Sequence, residues 1–302
     1  MKKLFAAVLA LMTVLAVSAC GAVGEPSADA SRDGESDAAG FGNASENPSG
    51  DGVSTEDSGT DDSARTFSAD DIYVALGDSI CRGYGLADPQ AECYSSLIGS
   101  DYGCAVYNYG VDGQTSGELL DMLLSGEAEM IGSATVISIS TGANNLLQPA
   151  YPLLGSLYQS FGKPDASIPD ISGVVADMDN GLKELAEDIP EIISYIRSVN
   201  PDAVIIFQTV YNPYVGFDVF TFDSGAVSVP FSAFAGSCVS RINSLITDSA
   251  ESCGYIVCDV YAGFSAAESD CVNADPVGGS IDPHPNAYGH RLIAALIEES
   301  LR

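Results

Sequence analysis

Five short apolar runs punctuate the chain beyond residue 71: Ile72–Leu76, Ala105–Tyr109, Thr135–Ser140, Ala203–Gln208 and Tyr255–Val260. Near-continuous apolar character, without polar alternation, is the mark of a strand covered on both faces. Between these runs the period lengthens. Met178, Leu182, Leu185, Ile189, Ile192, Ile196 and Val199 recur at helical spacing, with Pro190 expected to kink their helix. A last helix is predicted from about Ala287 to Leu301, opened by Pro285-Asn286. Strands alternating with helices predict an α/β fold, a three-layer α/β/α sandwich around a parallel five-stranded sheet.

Two stretches are too long for plain connections. One runs from Asn145 to about Gly173 and carries Leu146, Leu147, Tyr151, Leu153, Leu154, Leu157, Tyr158 and Phe161. The other runs from Tyr211 to about Ser237 and carries Tyr214, Phe217, Phe220, Phe222, Phe231 and Phe234. Long segments in compact domains are functional or have structure of their own. Both leave the carboxyl edge of the sheet, so they form either an apolar pocket or lid, or small satellite cores.

The first 71 residues follow other rules. Lys2-Lys3, the apolar run Leu4 to Val17 and the small Ser18-Ala19 make residues 1–19 a secretory signal peptide, short for a membrane span. Val17-Ser18-Ala19-Cys20 resembles a bacterial lipobox, which implies cleavage before Cys20 and a lipid on its thiol. The expected location is therefore the extracytoplasmic face of a membrane, held by a lipid anchor. Residues 21–71 hold 13 acidic and 2 basic residues and almost no large apolar side chains. Such a segment buries too little to offset its ordering entropy and is expected to be a disordered tether, spanning roughly 40 Å. The folded domain is then 72–302, with 231 residues.

That domain has 29 acidic and 7 basic residues, a net charge of −22. No basic patch can be drawn, which disfavours nucleic acid as a partner and argues weakly against a strongly anionic polymer. A monomer is expected, and the partners are a small-molecule or glycan-borne substrate and the membrane. Beyond Cys20 there are seven cysteines, an odd number, so at least one thiol stays unpaired within the chain. An exported chain can form disulfides, and the expected pairs are Cys93–Cys104, Cys238–Cys253 and Cys258–Cys271, with Cys81 free. There are two histidines and no C-x-x-C pair, so a zinc site is not expected.

Candidate chemistry sits where the strands end. Ser79 follows the first run, Gly110 the second and Asn144 the third. If the strand order is flavodoxin-like, 2-1-3-4-5, Ser79 lies between the other two in the crevice where open sheets bind ligands. A serine needs a base. His284 stands in a Pro-flanked loop before the last helix and is the candidate; His290 lies inside that helix, where packing is the default.

Four blocks occur in order: Gly77-Asp78-Ser79-Ile80, Asn108-Tyr109-Gly110, Gly142-Ala143-Asn144 and Asp282-Pro283-His284-Pro285-Asn286. Together with Asn200-Pro201-Asp202-Ala203 and Tyr211-Asn212-Pro213, they resemble the SGNH, or GDSL-type, hydrolases over nearly all of 72–302. The resemblance implies a serine ester hydrolase needing no metal or organic cofactor. In it Ser79 is nucleophile and His284 is base, and the oxyanion meets the Ser79 and Gly110 backbone N–H groups and the Asn144 amide. One departure stands out. The family commonly places its Asp three residues before the His, where this chain has Ile281; Asp282 is two before. Either Asp282 orients the imidazole, or a backbone carbonyl near Ser280 or Ile281 does so and the pair is a dyad. Expected substrates are lipid or short-chain carboxylic esters. O-acetyl groups on glycans, acyl transfer to an alcohol, and a silent glycan- or lipid-binding lipoprotein on the same fold are the other readings.

Overall fold

A computed structural model describes residues 65–160, 172–217, 231–278 and 280–302. Five parallel strands, β1 (Ile72–Gly77), β2 (Ala105–Gly110), β3 (Val136–Ser140), β4 (Val204–Gln208) and β5 (Ile256–Cys258), lie in the order β2-β1-β3-β4-β5. This is the flavodoxin-like order expected from the pattern. Gly77 is in register with Gly110 on one side and Ser140 on the other, so all three strands end at one level. The fifth strand is shorter than its apolar run. Val260 already begins a helix, α8 (Val260–Ala266), whose first turn is capped by the Asp259 carboxylate accepting from the Ala262 N–H.

Side chains of β1 alternate between two cores. Val74 and Leu76 face one layer, built on α4 (Ser116–Ser125), α5 (Ala143–Ser160), α6 (Ser172–Val199) and α7 (Phe231–Cys253). Tyr73 and Ala75 face the other, which takes Tyr94 and Ile98 from α3 (Tyr94–Tyr102) and Ile293, Ala294 and Ile297 from α9 (Ala287–Ser300). Both layers cover the central strands β1, β3 and β4, whereas the edge strand β2 is mostly exposed, so its run is not the buried strand that its apolar residues predict. Ahead of β1, residues counted with the tether pack on the domain. Phe67 is buried with its ring edge-on to Tyr73, and the Arg65 guanidinium pairs with Asp71.

Of the two long segments, the first is helical from Ala143 to Ser160 despite Pro149 and Pro152, whose missing N–H groups argue for a loop. Phe161 lies outside the described residues, as do Phe220 and Phe222 of the second segment. Helix α6 is assigned without a break across Pro190, which stands exposed; the Ala186 carbonyl that it frees is also on an exposed residue.

The expected disulfides are not present among the described residues, where all seven cysteines are thiols. Geometry forbids two of them. Cys238 and Cys253 lie 15 residues apart on α7, about 22 Å at 1.5 Å per residue. Cys93 is the N-cap of α3 and Cys104 follows its C-cap Gly103, so the nine-residue helix lies between them. Bridged cysteines need Cα atoms within about 7 Å. Cys258, at the end of β5, and Cys271 are likewise separate thiols.

Candidate active site

Strand β1 runs into a turn that only glycine permits. Gly77 has φ +139, and a side-chain carbon there would lie 2.0 Å from the Ser140 carbonyl oxygen. Asp78 then caps the four-residue helix α1 (Ser79–Arg82), its carboxylate accepting from the Ile80 N–H at 2.9 Å. This sets Ser79 on the first turn at the carboxyl edge of the sheet. Gly83 closes the helix in the left-handed conformation, and the Tyr84 N–H returns to the Ser79 carbonyl at 2.9 Å. The doubled-back chain lays the Tyr84 ring on the His284 ring, with centroids 4.4 Å apart.

The loop before α9 brings the other groups. Asn286 caps α9 and is tied to the Cys271 carbonyl, while the His284 carbonyl accepts from the Asn273 N–H at 2.9 Å. His284 Nε2 lies 2.9 Å from Ser79 Oγ. His284 Nδ1 lies 2.5 Å from Asp282 Oδ1, and the same oxygen accepts from the His284 backbone N–H at 3.1 Å. The Asp two residues before the His therefore reaches the ring, because its carboxylate closes a tight Asx turn over Pro283. The carbonyls that would serve a dyad are bonded elsewhere. Ser280 accepts from the Asp275 N–H at 2.8 Å, and Ile281 from the Tyr214 hydroxyl at 3.4 Å.

His290 takes no part in this line, although it lies close enough to feel the charge of His284. It is fully buried, and its Nδ1 accepts from the Tyr94 N–H at 3.3 Å. Burial pulls its pKa down to about 4, so it is a neutral core side chain at physiological pH.

Asn144, on the first turn of α5, lines the pocket in front of Ser79. Its Nδ2 donates to the Gln114 carbonyl at 3.1 Å and faces the Asp78 carboxylate at 3.4 Å. Both amide protons thus have acceptors within the protein, and the 3.4 Å contact is the weaker one, which a substrate oxygen would have to displace. Neighbouring Asn145 is held beneath it. Its Nδ2 donates to Ser116 Oγ at 2.8 Å, and Ser116 Oγ donates to Asp188 Oδ2 at 2.5 Å.

Gly110 is a correction. Its N–H donates to Asn108 Oδ1 at 2.9 Å, so it is already spent. A side chain at 110 would meet the Arg82 backbone nitrogen at 2.4 Å, which means that glycine here serves the close approach of β2 to α1. The glycine of this region that lines the pocket is Gly113, in the left-handed conformation at φ +77. It was legible as the turn glycine just before the Thr115–Glu118 capping box, but its position three residues past the strand made Gly110 look closer.

Behind Ser79 the pocket has a volume of about 320 Å³. Its walls include Leu146, Leu147 and Ala150 of α5, Met178 of α6, and Phe234 and Ile242 of α7; Tyr151, Tyr211, Tyr214, Ala235, Cys238 and Val239 also line it. Burial pushes the Cys238 thiol up to about 12, so it acts as an apolar wall. The long segments thus wall a pocket, and their Leu146, Ala150 and Tyr211 join the two main cores; among the described residues they form no satellite core.

Asp78 is fully buried beside this pocket, and desolvation raises its carboxyl to about 7 against the opposing backbone hydrogen bonds. The folded state then holds this proton between about pH 4 and 7 while the unfolded chain has lost it. Stability contributed by Asp78 falls as pH rises through that window and is flat above it. Asp78→Asn keeps the capping oxygen and removes the ionisation. Melting curves from pH 4 to 8 should show the variant gaining on wild type as pH rises, by roughly 2–4 kcal/mol at pH 8. A constant difference across the range would refute the assignment.

Fold and site together define a hydrolase built on a three-layer α/β/α sandwich around one parallel sheet. The chain belongs to the GDSL-like lipase/acylhydrolase family, whose model matches residues 75–292. Among curated proteins it is 26% identical over 246 residues to the uncharacterised protein YpmR of Bacillus subtilis (strain 168), covering 76% of this chain and 81% of that one. Among solved structures it is similar to phospholipase A1 from Streptomyces albidoflavus NA297, with a TM-score of 0.56, 17% identity, and 76% and 99% of the two chains covered. It is also similar to an extracellular lipase from Streptomyces rimosus, with a TM-score of 0.55, 16% identity, and 76% and 99% covered. At these identities the structures speak for the fold.

Proposed function

We propose that this protein is an extracytoplasmic serine esterase that cleaves carboxylic esters of lipid-like acyl chains through an acyl-Ser79 intermediate. The observation that carries the reading is the unbroken line Ser79 Oγ, His284 Nε2, His284 Nδ1, Asp282 Oδ1 opening into an apolar pocket. His284 takes the Ser79 proton as Oγ attacks the ester carbonyl, and Asp282 stabilises the imidazolium that forms. The oxyanion is met by the Ser79 and Gly113 backbone N–H groups and the Asn144 amide, donors each worth about 10²–10³ in rate. His284 then protonates the leaving alcohol. A water, deprotonated by His284, attacks the acyl-serine; the acyl–Oγ bond breaks, His284 returns the proton to Ser79 Oγ, and the acid leaves. The location rests on the N-terminal pattern, Lys2-Lys3 through Cys20, which lies outside the described residues.

Fluorophosphonate labelling of the purified protein tests the nucleophile, with p-nitrophenyl esters from acetyl to dodecanoyl as substrates. Labelling and turnover should both be present, with the longer esters preferred. No labelling of a folded sample would leave a binding lipoprotein, and a preference for acetyl would point to O-acetyl esters. Ala235→Phe narrows the pocket from its partly exposed side. It should cost dodecanoyl hydrolysis about 10-fold or more and leave acetyl hydrolysis within about 3-fold, since a methylene's worth of pocket contact is about 10–200-fold.

A further inference from the structure

The acid of the catalytic line is poorly sheltered: the Asp282 side chain is 36% exposed against 18% for His284. A carboxylate so placed keeps its direction only if its backbone is held. Residues 281–283 belong to no helix or strand, and what holds them comes from another part of the fold. The Tyr211 hydroxyl donates to the Pro283 carbonyl at 2.7 Å, and the Tyr214 hydroxyl to the Ile281 carbonyl at 3.4 Å. These are the carbonyls on either side of Asp282.

The support is itself rigid. Val210, two residues past β4, exchanges two hydrogen bonds with the Asn243 amide of α7, at 2.7 and 2.8 Å. Asn212 turns the chain, its Oδ1 accepting from the Tyr214 N–H at 3.0 Å and its Nδ2 donating to the Ser232 carbonyl of α7. The Tyr211 ring is buried and stacked on Phe264 of α8, with centroids 4.6 Å apart. Burial raises both phenols, Tyr214 to about 12, so each remains a hydrogen-bond donor at any working pH.

We propose that Tyr211, assisted by Tyr214, is the positioning residue of the shortened Asp-Pro-His loop, clamping the peptide carbonyls that flank Asp282 so that one carboxylate oxygen meets both His284 N–H groups. With two residues between, an Asp can approach the ring along several backbone paths. With Pro283 alone between them there is one, and it has to be held. The clamp acts through Pro283 and Asp282 on His284 and touches no reacting atom. The inference rests on the esterase reading for its kinetic consequence and stands without it for its geometric one.

Tyr211→Phe keeps the ring on Phe264 and removes the hydroxyl. In the full chain, kcat on p-nitrophenyl butyrate should fall about 10- to 100-fold with KM changed less than about 2-fold, as expected for a base displaced by a fraction of an ångström. Fluorophosphonate labelling should slow by the same factor. The far-downfield proton resonance of the His284–Asp282 hydrogen bond, identified by its loss in Asp282→Ala, should broaden or vanish in Tyr211→Phe at a temperature where both proteins are folded. Tyr214→Phe removes the longer bond and should do the same to a smaller extent. A Tyr211→Phe protein with wild-type kcat and an undisturbed downfield proton overturns the proposal. If Tyr211→Phe does not fold, an unaltered resonance and kcat in Tyr214→Phe overturns it instead. Absence of turnover and labelling in wild type would count against the esterase reading alone, since the proton resonance still reports on the clamp.

Discussion

Replacing His284 by alanine is expected to lower turnover by about 10⁴- to 10⁶-fold, and Ser79→Ala by the same amount. A serine hydroxyl at neutral pH holds its proton firmly, and the only imidazole within reach is that of His284, 2.9 Å away. The chain has no substitute. Its other histidine is sealed in the core between α3 and α9, with its pKa depressed to about 4. The two losses should not add, because nucleophile and base act as one unit; the double variant should be no slower than either single one. Initial rates and fluorophosphonate labelling of folded variants measure this. More than about 1% of wild-type activity in His284→Ala would mean that another group takes the proton.

Asp282→Ala should cost about 10³- to 10⁴-fold, close to the price of losing the base's orientation in other triads. The carboxylate accepts the ring N–H and the backbone N–H of His284 on one oxygen, so its removal frees both the tautomer and the loop. Asp282→Asn is the finer probe. It offers a similar shape and one acceptor but no charge to stabilise the imidazolium, and should still lose 10²-fold or more by rough analogy. Both variants would be compared with His284→Ala under the same conditions. Losses under about tenfold would favour a dyad, oriented by some acceptor other than the Ser280 and Ile281 carbonyls, which are engaged.

Much of this architecture could be read from the chain because its physics is local. The central strand runs are apolar on both faces, and that one fact forces helices onto both sides of the sheet. Ser79, Asn144 and the loop of His284 were legible because each stands at the boundary of such a run or just ahead of the last helix. What escaped was set by contacts distant in sequence. The glycine of the pocket was misassigned because Asn108 claims the Gly110 N–H, and nothing in the spacing reveals that bond. The expected cysteine pairs join neighbours in sequence, but proximity along a helix is distance in space, as Cys238 and Cys253 demonstrate. The reach of Asp282 depends on two tyrosines some seventy residues upstream of it, separated in the sequence and joined only by the return of the chain to the sheet edge.

Helix α5 has a double office. Its first turn carries Asn144, and the following turns carry Leu146, Leu147, Ala150 and Tyr151 into the pocket. On the esterase reading proposed above, the group that would steady the developing charge and the wall that would meet the acyl chain stand on one helix. A chain that fits the wall would leave the helix at rest and the amide aimed; one that crowds it would tilt both together. Discrimination among substrates would then be registered in the rate of the bond-breaking step more than in how tightly each is held, so that an ill-fitting ester could occupy the site and yet be spared.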